Sequence, residues 1–349
     1  MRRCAAVLCF LLFGIAPAAA QSGDAIAELE PIVVSGVQPG PGLWKVSKDG
    51  HVLWVLGVLS PLPKKMQWQT DEVAERIGES RQLLDMPSAV FEPDVGFFGR
   101  IALAPSLVGA RNNPGRRKLV DVVPAAQYAR WSELKQKYIG RSGKVEKWRP
   151  LFAAMELYTS AIEKLGLRSS REVVRTVRGL AESAGVERVP VRLELAIDDP
   201  RAALRQFKKS TLADLECFDM TLDRIEGDLG LMAARANAWA SGDLEGLRAL
   251  PYRDQMRACM DAAMSAEVLR DRGLGDLEQR LQQLWVGAAE SALARNDVSF
   301  AMLPMDRVLD PQGFLAPLAA RGCLVEAPDE ASEDSPDAGK PMEPRGPSP

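Results

Sequence analysis

The sequence predicts an α/β (α+β) fold, with a mixed sheet built from strands near both chain ends around a large helical insert. Three observations carry this. Strand-like alternation is concentrated between Gly42 and Val58 and again after Ser299. The stretch between them is dominated by apolar residues at helical spacing, interrupted by further short strand signals. Strands near both termini pair most simply into one sheet, with the helices packed on its faces.

Gly42 to Ser47 alternates apolar and polar residues, Lys48-Asp49-Gly50 is a turn, and His51 to Val58 is mostly apolar. That pattern is a hairpin whose second strand is buried on both faces. Thr70 is the expected cap of a helix that carries Asp71 and Glu72 in its first turn and runs to about Glu79. Gln82 to Met86 follows as a short strand. Helices are predicted from Ala125 to Ile139, from Pro150 past Leu165, and from a Ser169 or Ser170 cap to Gly185. Val189 to Leu195 reads as a strand that Pro190 places near an edge.

Long amphipathic stretches follow at Thr211 to Ala240, Tyr252 to Arg272 and Leu277 to Arg295. Their methionines, Met220, Met232, Met256, Met260 and Met264, read as core. Strand, helix and strand close the fold at Ser299 to Leu303, Pro311 to Arg321 and Cys323 to Glu326.

The flanks read differently. Arg2 and Arg3, the apolar stretch Ala5 to Ile15 and Ala18-Ala19-Ala20 predict a signal peptide over residues 1–20, cleaved near Ala20. Residues 21–41 form an extended leader in which Ile32-Val33-Val34 would add at most an edge strand. Residues 42–326 are the folded domain, and residues 327–349 an acidic tail without apolar periodicity, expected to be disordered. No later segment approaches the roughly 20 apolar residues of a spanning helix, and no lipobox surrounds Cys4 or Cys9. The expected location is periplasmic or secreted.

Net charge is −3 with both signs interspersed, which excludes a nucleic-acid-binding surface as the organising feature. Removal of the leader leaves Cys217, Cys259 and Cys323. In an oxidising compartment this predicts one disulfide and one spare thiol. A Cys217–Cys259 bridge would staple two consecutive helices and stabilise the fold by about 3 to 4 kcal/mol through the unfolded chain. Cys323, inside Cys323-Leu324-Val325, reads as a small buried hydrophobe.

Histidine is the usual neutral-pH base and the commonest metal ligand, and the chain has one, His51. Chemistry here rests on carboxylates and hydroxyls, or is absent. There is no Gly-x-Ser-x-Gly elbow, Gly-rich phosphate loop or Cys-x-x-Cys pair.

Leu43-Trp44-Lys45-Val46, then Gly57-Val58-Leu59-Ser60 and Leu62-Pro63 with Trp68 beyond, resembles the opening of the TraB/GumN family, related to Tiki and erythromycin-esterase/ChaN-like proteins. Trp148-Arg149-Pro150, Leu193-Glu194, Trp239 through Gly242-Asp243-Leu244, Arg295-Asn296 and Gly313 through Gly322 follow in the family's order. The resemblance implies an erythromycin-esterase/ChaN-like fold and a hydrolase site for Mn, Co or Zn, built from two Gly-x-x-His motifs, a carboxylate and an asparagine.

At those positions stand Ser60, Asp85, Glu194, Asn296 and Arg307. Both imidazoles are missing, and the second gives way to a cation. A guanidinium repels a metal ion and satisfies carboxylates itself. Each residue also has a structural reading: a turn at Ser60, a strand end at Asp85, pairing of Glu194 with Arg192 or a helix, a C-cap at Asn296 and a solvated Arg307. His51 lies on the far side of Gly57 from Ser60 and replaces neither histidine.

The sequence thus predicts an exported, catalytically degenerate family member that uses no cofactor and binds an envelope peptide, glycan or protein. The alternative is a metal-dependent hydrolase with a rearranged carboxylate site on Asp85, Glu194 and Asn296. A third reading is a structural module held by the Cys217–Cys259 staple, with the acidic tail as its contact.

Overall fold

A computed structural model of the chain describes residues 36–93, 109–197, 199–202, 205, 212–250, 259 and 276–330. The signal peptide, the Ile32-Val33-Val34 strand, the acidic tail beyond residue 330 and all of Tyr252 to Arg272 except Cys259 lie outside the described residues.

The first third is β-rich: β1 (Val37–Gln38), β2 (Leu43–Lys48), β3 (His51–Val58), β4 (Leu62–Pro63), β5 (Gln67–Trp68), α1 (Asp71–Glu79), β6 (Gln82–Leu84) and β7 (Ser88–Pro93). A helical middle follows, with α2 (Ala125–Tyr138), α3 (Pro150–Lys164), β8 (Leu167–Arg168), α4 (Arg171–Ser183), β9 (Glu187–Val189) and β10 (Arg192–Ile197). The last part holds α5 (Leu212–Gly227), α6 (Leu229–Ser241), α7 (Leu244–Ala249), α8 (Leu277–Arg295), β11 (Val298–Pro304), α9 (Met305–Leu309), α10 (Ala316–Ala320) and β12 (Leu324–Glu326).

The main sheet runs β12-β2-β3-β11-β6-β9 and draws on both chain ends, as the sequence predicts. β3, β11, β6 and β9 are parallel, while the β2–β3 hairpin is antiparallel. Lys48 pairs with His51 across a two-residue turn in which Asp49 and Gly50 both have positive φ. That geometry is why Asp-Gly stands there. Leu53, Val55 and Leu56 of β3 and Phe300 through Leu303 of β11 are fully buried. α1 and α8 both pack against β11, and a central parallel strand covered on both faces takes such a continuous apolar run.

Four sequence expectations change. The strand read over Val189 to Leu195 is two strands broken at Pro190, which has no N–H for a ladder. β9 stays in the main sheet, whereas β10 pairs with β7 in a separate parallel ribbon. Across the break three residues, Asp85–Pro87, face two, Pro190–Val191, bridged by Asp85 N to Val189 O and Ser88 N to Val191 O, each 3.0 Å. One extra residue bends the pair as a bulge does. The six residues of β7 and β10 run on past it, on the order of 20 Å.

The helix read over Thr211 to Ala240 breaks at Asp228 between α5 and α6, where Gly227 weakens the helix and Asp228 takes the N-cap position. Thr70 and Ser170 hold N-cap positions, but neither hydroxyl bonds the first turn. Their ψ angles of 1° and 14° lie outside the extended region such a bond needs. Finally, the helix read over Pro311 to Arg321 begins only at Ala316, because Pro311 to Leu315 forms a tight loop against the end of α9.

Charged side chains tie the helical middle together. Arg130 of α2 bonds Asp219, Asp223 and Glu226 along α5. Deeper, Arg149 at the start of α3 meets Asp214 of α5 with Nε–Oδ2 2.6 Å, both side chains almost wholly buried. Burial pushes the Asp214 carboxyl up, opposed by its bond to Arg149. Cys217, one turn along α5, is disulfide-bonded to Cys259, and Cys323 is free and buried, as expected.

Removing one partner of a buried ion pair strands the other charge. Arg149→Met should therefore cost about 3 to 5 kcal/mol in urea unfolding, and pairing it with Asp214→Leu should recover most of the loss.

Candidate functional site

In an open α/β sheet, ligands meet the carboxyl ends of the parallel strands. Here that edge is formed by the ends of β3, β11 and β6. Three of the five candidate residues stand on it. Ser60 follows β3, Asp85 follows β6, and Arg307 lies in α9 directly after β11.

Ser60 leads into a cis bond with Pro61, and its Oγ accepts the Ser170 N–H at 3.4 Å. It lines a cleft of about 420 Å³ with Met155 and Tyr158 of α3, Arg168, Arg171 and Cys259. Asp85 is buried, and each of its oxygens is bonded by a guanidinium: Oδ1 by Arg178 Nε at 2.9 Å and Oδ2 by Arg188 Nη2 at 3.0 Å. Arg307 is buried, which corrects the solvated reading. Its Nη2 donates to Glu278 Oε2 at 2.7 Å, and its guanidinium lies over the Phe314 ring at 4.7 Å.

Arg307 opens into a different pocket, of about 480 Å³, with Glu278, Gln282, Asp310 and Phe314. The two motif positions therefore do not share a cavity. Fully buried Met305 lies against Gly57, where a Cβ would sit 2.8 Å from its sulfur. On the same strand end, Trp239 Nε1 donates to the Gly57 carbonyl at 2.8 Å, and its ring meets Trp68 edge-on at 5.7 Å.

The other two candidates are elsewhere. Asn296 caps α8 at the opposite, amino edge of the sheet. Its Nδ2 donates to Gln82 Oε1 and Ser299 Oγ, both at 3.1 Å. His51 lies at the same edge, its Nδ1 2.8 Å from the Asn296 carbonyl oxygen. Glu194 is exposed on the β7–β10 ribbon, with no ion pair to Arg192 among the described residues.

These residues do not fit a divalent metal. Such an ion needs several converging donors with free lone pairs. Asp85 spends both oxygens on arginines, and Asn296 lies a strand length away. Among the described residues no three His, Cys, Asp or Glu side chains are grouped to hold a metal.

Sequence reasoning misses Arg178 and Arg188, since a surface arginine on a helix and one on an edge strand carry no periodic signal. Trp239 and Gly57 stand within motifs, but their bond joins residues 182 positions apart. No spacing rule reaches that far.

The fold and this edge define a class: an open, mostly parallel α/β sheet with a polar carboxyl edge and an inserted helical lobe. The sequence profile of the TraB/PrgY/gumN family matches residues 42–327, and the chain belongs to that family. Comparison with curated proteins and with solved structures gave no match. Among the described residues, no helix is long and apolar enough to cross a membrane.

Gly313 sets the loop that closes over Arg307: a Cβ there would lie 2.1 Å from the Arg307 carbonyl oxygen. Gly313→Ala should cost about 1 to 3 kcal/mol in denaturant unfolding, because a backbone atom must move. Asp85→Asn should cost less, about 1 to 2 kcal/mol, since Arg178 and Arg188 are 40% and 41% exposed and water takes over part of their pairing.

Proposed function

We propose that this chain is an exported family member that works by binding at the carboxyl edge of its sheet and not by metal-dependent hydrolysis. One observation carries the reading. The carboxylate best placed for a metal, Asp85, is held by two guanidinium groups and is neutralised within the fold. The competing hydrolase, built on Asp85, Glu194 and Asn296, has no common pocket among the described residues in which those three side chains would act.

The partner is an envelope peptide, glycan or protein. Export rests on the charged, apolar and small-residue order of the first 20 residues, and on the Cys217–Cys259 disulfide, which suits an oxidising compartment. Residues 42–326 are the working domain, on which Ala327 is buried and Asp329 pairs with Arg248, and the acidic residues beyond 330 are an appended tail.

The test is elemental analysis and calorimetric titration of the mature protein with Mn²⁺, Co²⁺ and Zn²⁺. The expected result is no stoichiometric metal and no heat of specific binding. One tightly held ion per chain together with metal-dependent peptide cleavage would overturn the reading.

A further inference from the structure

We propose that the cleft beside Ser60 binds an aliphatic carboxylate, its chain on the apolar floor and its carboxylate between Arg168 and Arg171. This rests on the reading that the carboxyl edge binds and does not hydrolyse, and it names the ligand chemistry.

The cleft's volume of about 420 Å³ falls within the roughly 300–1,000 Å³ of small-molecule sites. Its floor comes from one face of α3, where Met155, Tyr158 and Ile162 recur at spacings of three and four, and from the buried Cys259 of the disulfide. The Tyr158 hydroxyl donates to the Met232 sulfur, 3.9 Å off, and its ring packs against the core.

The rim carries the charge. Among the described residues, Arg168 and Arg171 line the cleft with one acid, Glu163. Among the described residues, the pocket around Arg307 has the opposite balance, with Asp276, Glu278 and Asp310 beside one guanidinium. An anion is therefore drawn to the Ser60 cleft in a chain whose net charge is −3. Arg168 stands between the cleft and a neighbouring pocket, where it pairs with Glu172, and both side chains are exposed, at 41% and 53%. A ligand carboxylate competes with that exposed pair on good terms, and a guanidinium binds carboxylate through two parallel hydrogen bonds.

An aliphatic carboxylate has two sources, a free fatty acid or the apolar C-terminus of a peptide, and the experiment separates them. The full mature protein is titrated with decanoate, with decanol, and with an acetylated Ala-Leu-Leu peptide as free acid and as amide. The same titrations use the double variant Arg168→Gln/Arg171→Gln, whose surface positions leave the core untouched. Binding of decanoate or of the peptide acid, weakened about tenfold or more in the double variant and matched by neither decanol nor the amide, supports the proposal. Which of the two acids binds names the source.

Equal binding of decanol and decanoate, an unchanged double variant, or no binding of either acid overturns the proposal. Stoichiometric metal with hydrolysis would instead defeat the non-catalytic reading, whatever decanoate does.

Discussion

The pairing of β3 with β11 is the constraint on which the rest depends. Val52 to Val58 lies in parallel register with Val298 to Pro304, joining segments from opposite ends of the chain. β3 has β2 as its local partner, but its other neighbour, β11, comes from beyond the helical middle. Closing so long a loop is costly in entropy, although the cost grows only slowly with length. Continuous apolar burial along both strands offsets it. The same register sets which residues reach the carboxyl edge together: Ser60, Asp85 and Arg307 do, and Asn296 and His51 cannot.

Much of this is legible in the sequence, because the signals are local. The Asp-Gly turn, the apolar run of β3, the proline at the start of α3 and the span of α8 are short-range patterns, and each stands where the pattern puts it. The failures share a different cause. Pro190 reads as placing one strand near an edge, whereas it divides two strands that belong to different sheets. Thr211 to Ala240 reads as one amphipathic stretch, whereas it breaks at Asp228, whose carboxylate draws Arg224 and Arg235 at 3.4 and 2.7 Å. In each case tertiary partners decide between two locally acceptable conformations.

The candidate site is less legible for the same reason. A motif gives the position of a residue along a strand and says nothing of what faces it. Asp85 stands at the expected strand end, yet its chemistry is settled by Arg178 and Arg188, from a helix and a neighbouring strand about a hundred residues on. Arg307 reads as solvated, as surface arginines usually are. A glutamate partner, an aromatic face and the tight loop at Gly313 allow it to be buried instead.

The residues that shape the carboxyl edge and the candidate site residues on it are therefore different kinds of residue. Gly57 makes room for Met305, Gly313 clears the Arg307 carbonyl, and Trp239 holds the end of β3 through a buried hydrogen bond. These residues fix backbone positions and do so whatever occupies the motif's last place. Ser60 and Arg307 stand at those last places and open into separate pockets. A fold held by close backbone approach keeps its edge whatever side chains stand there. Asp85 at the end of β6 is held by two arginines, while the described charges on the Ser60 cleft are Arg168, Arg171 and Glu163, so the two parts of the edge differ in charge.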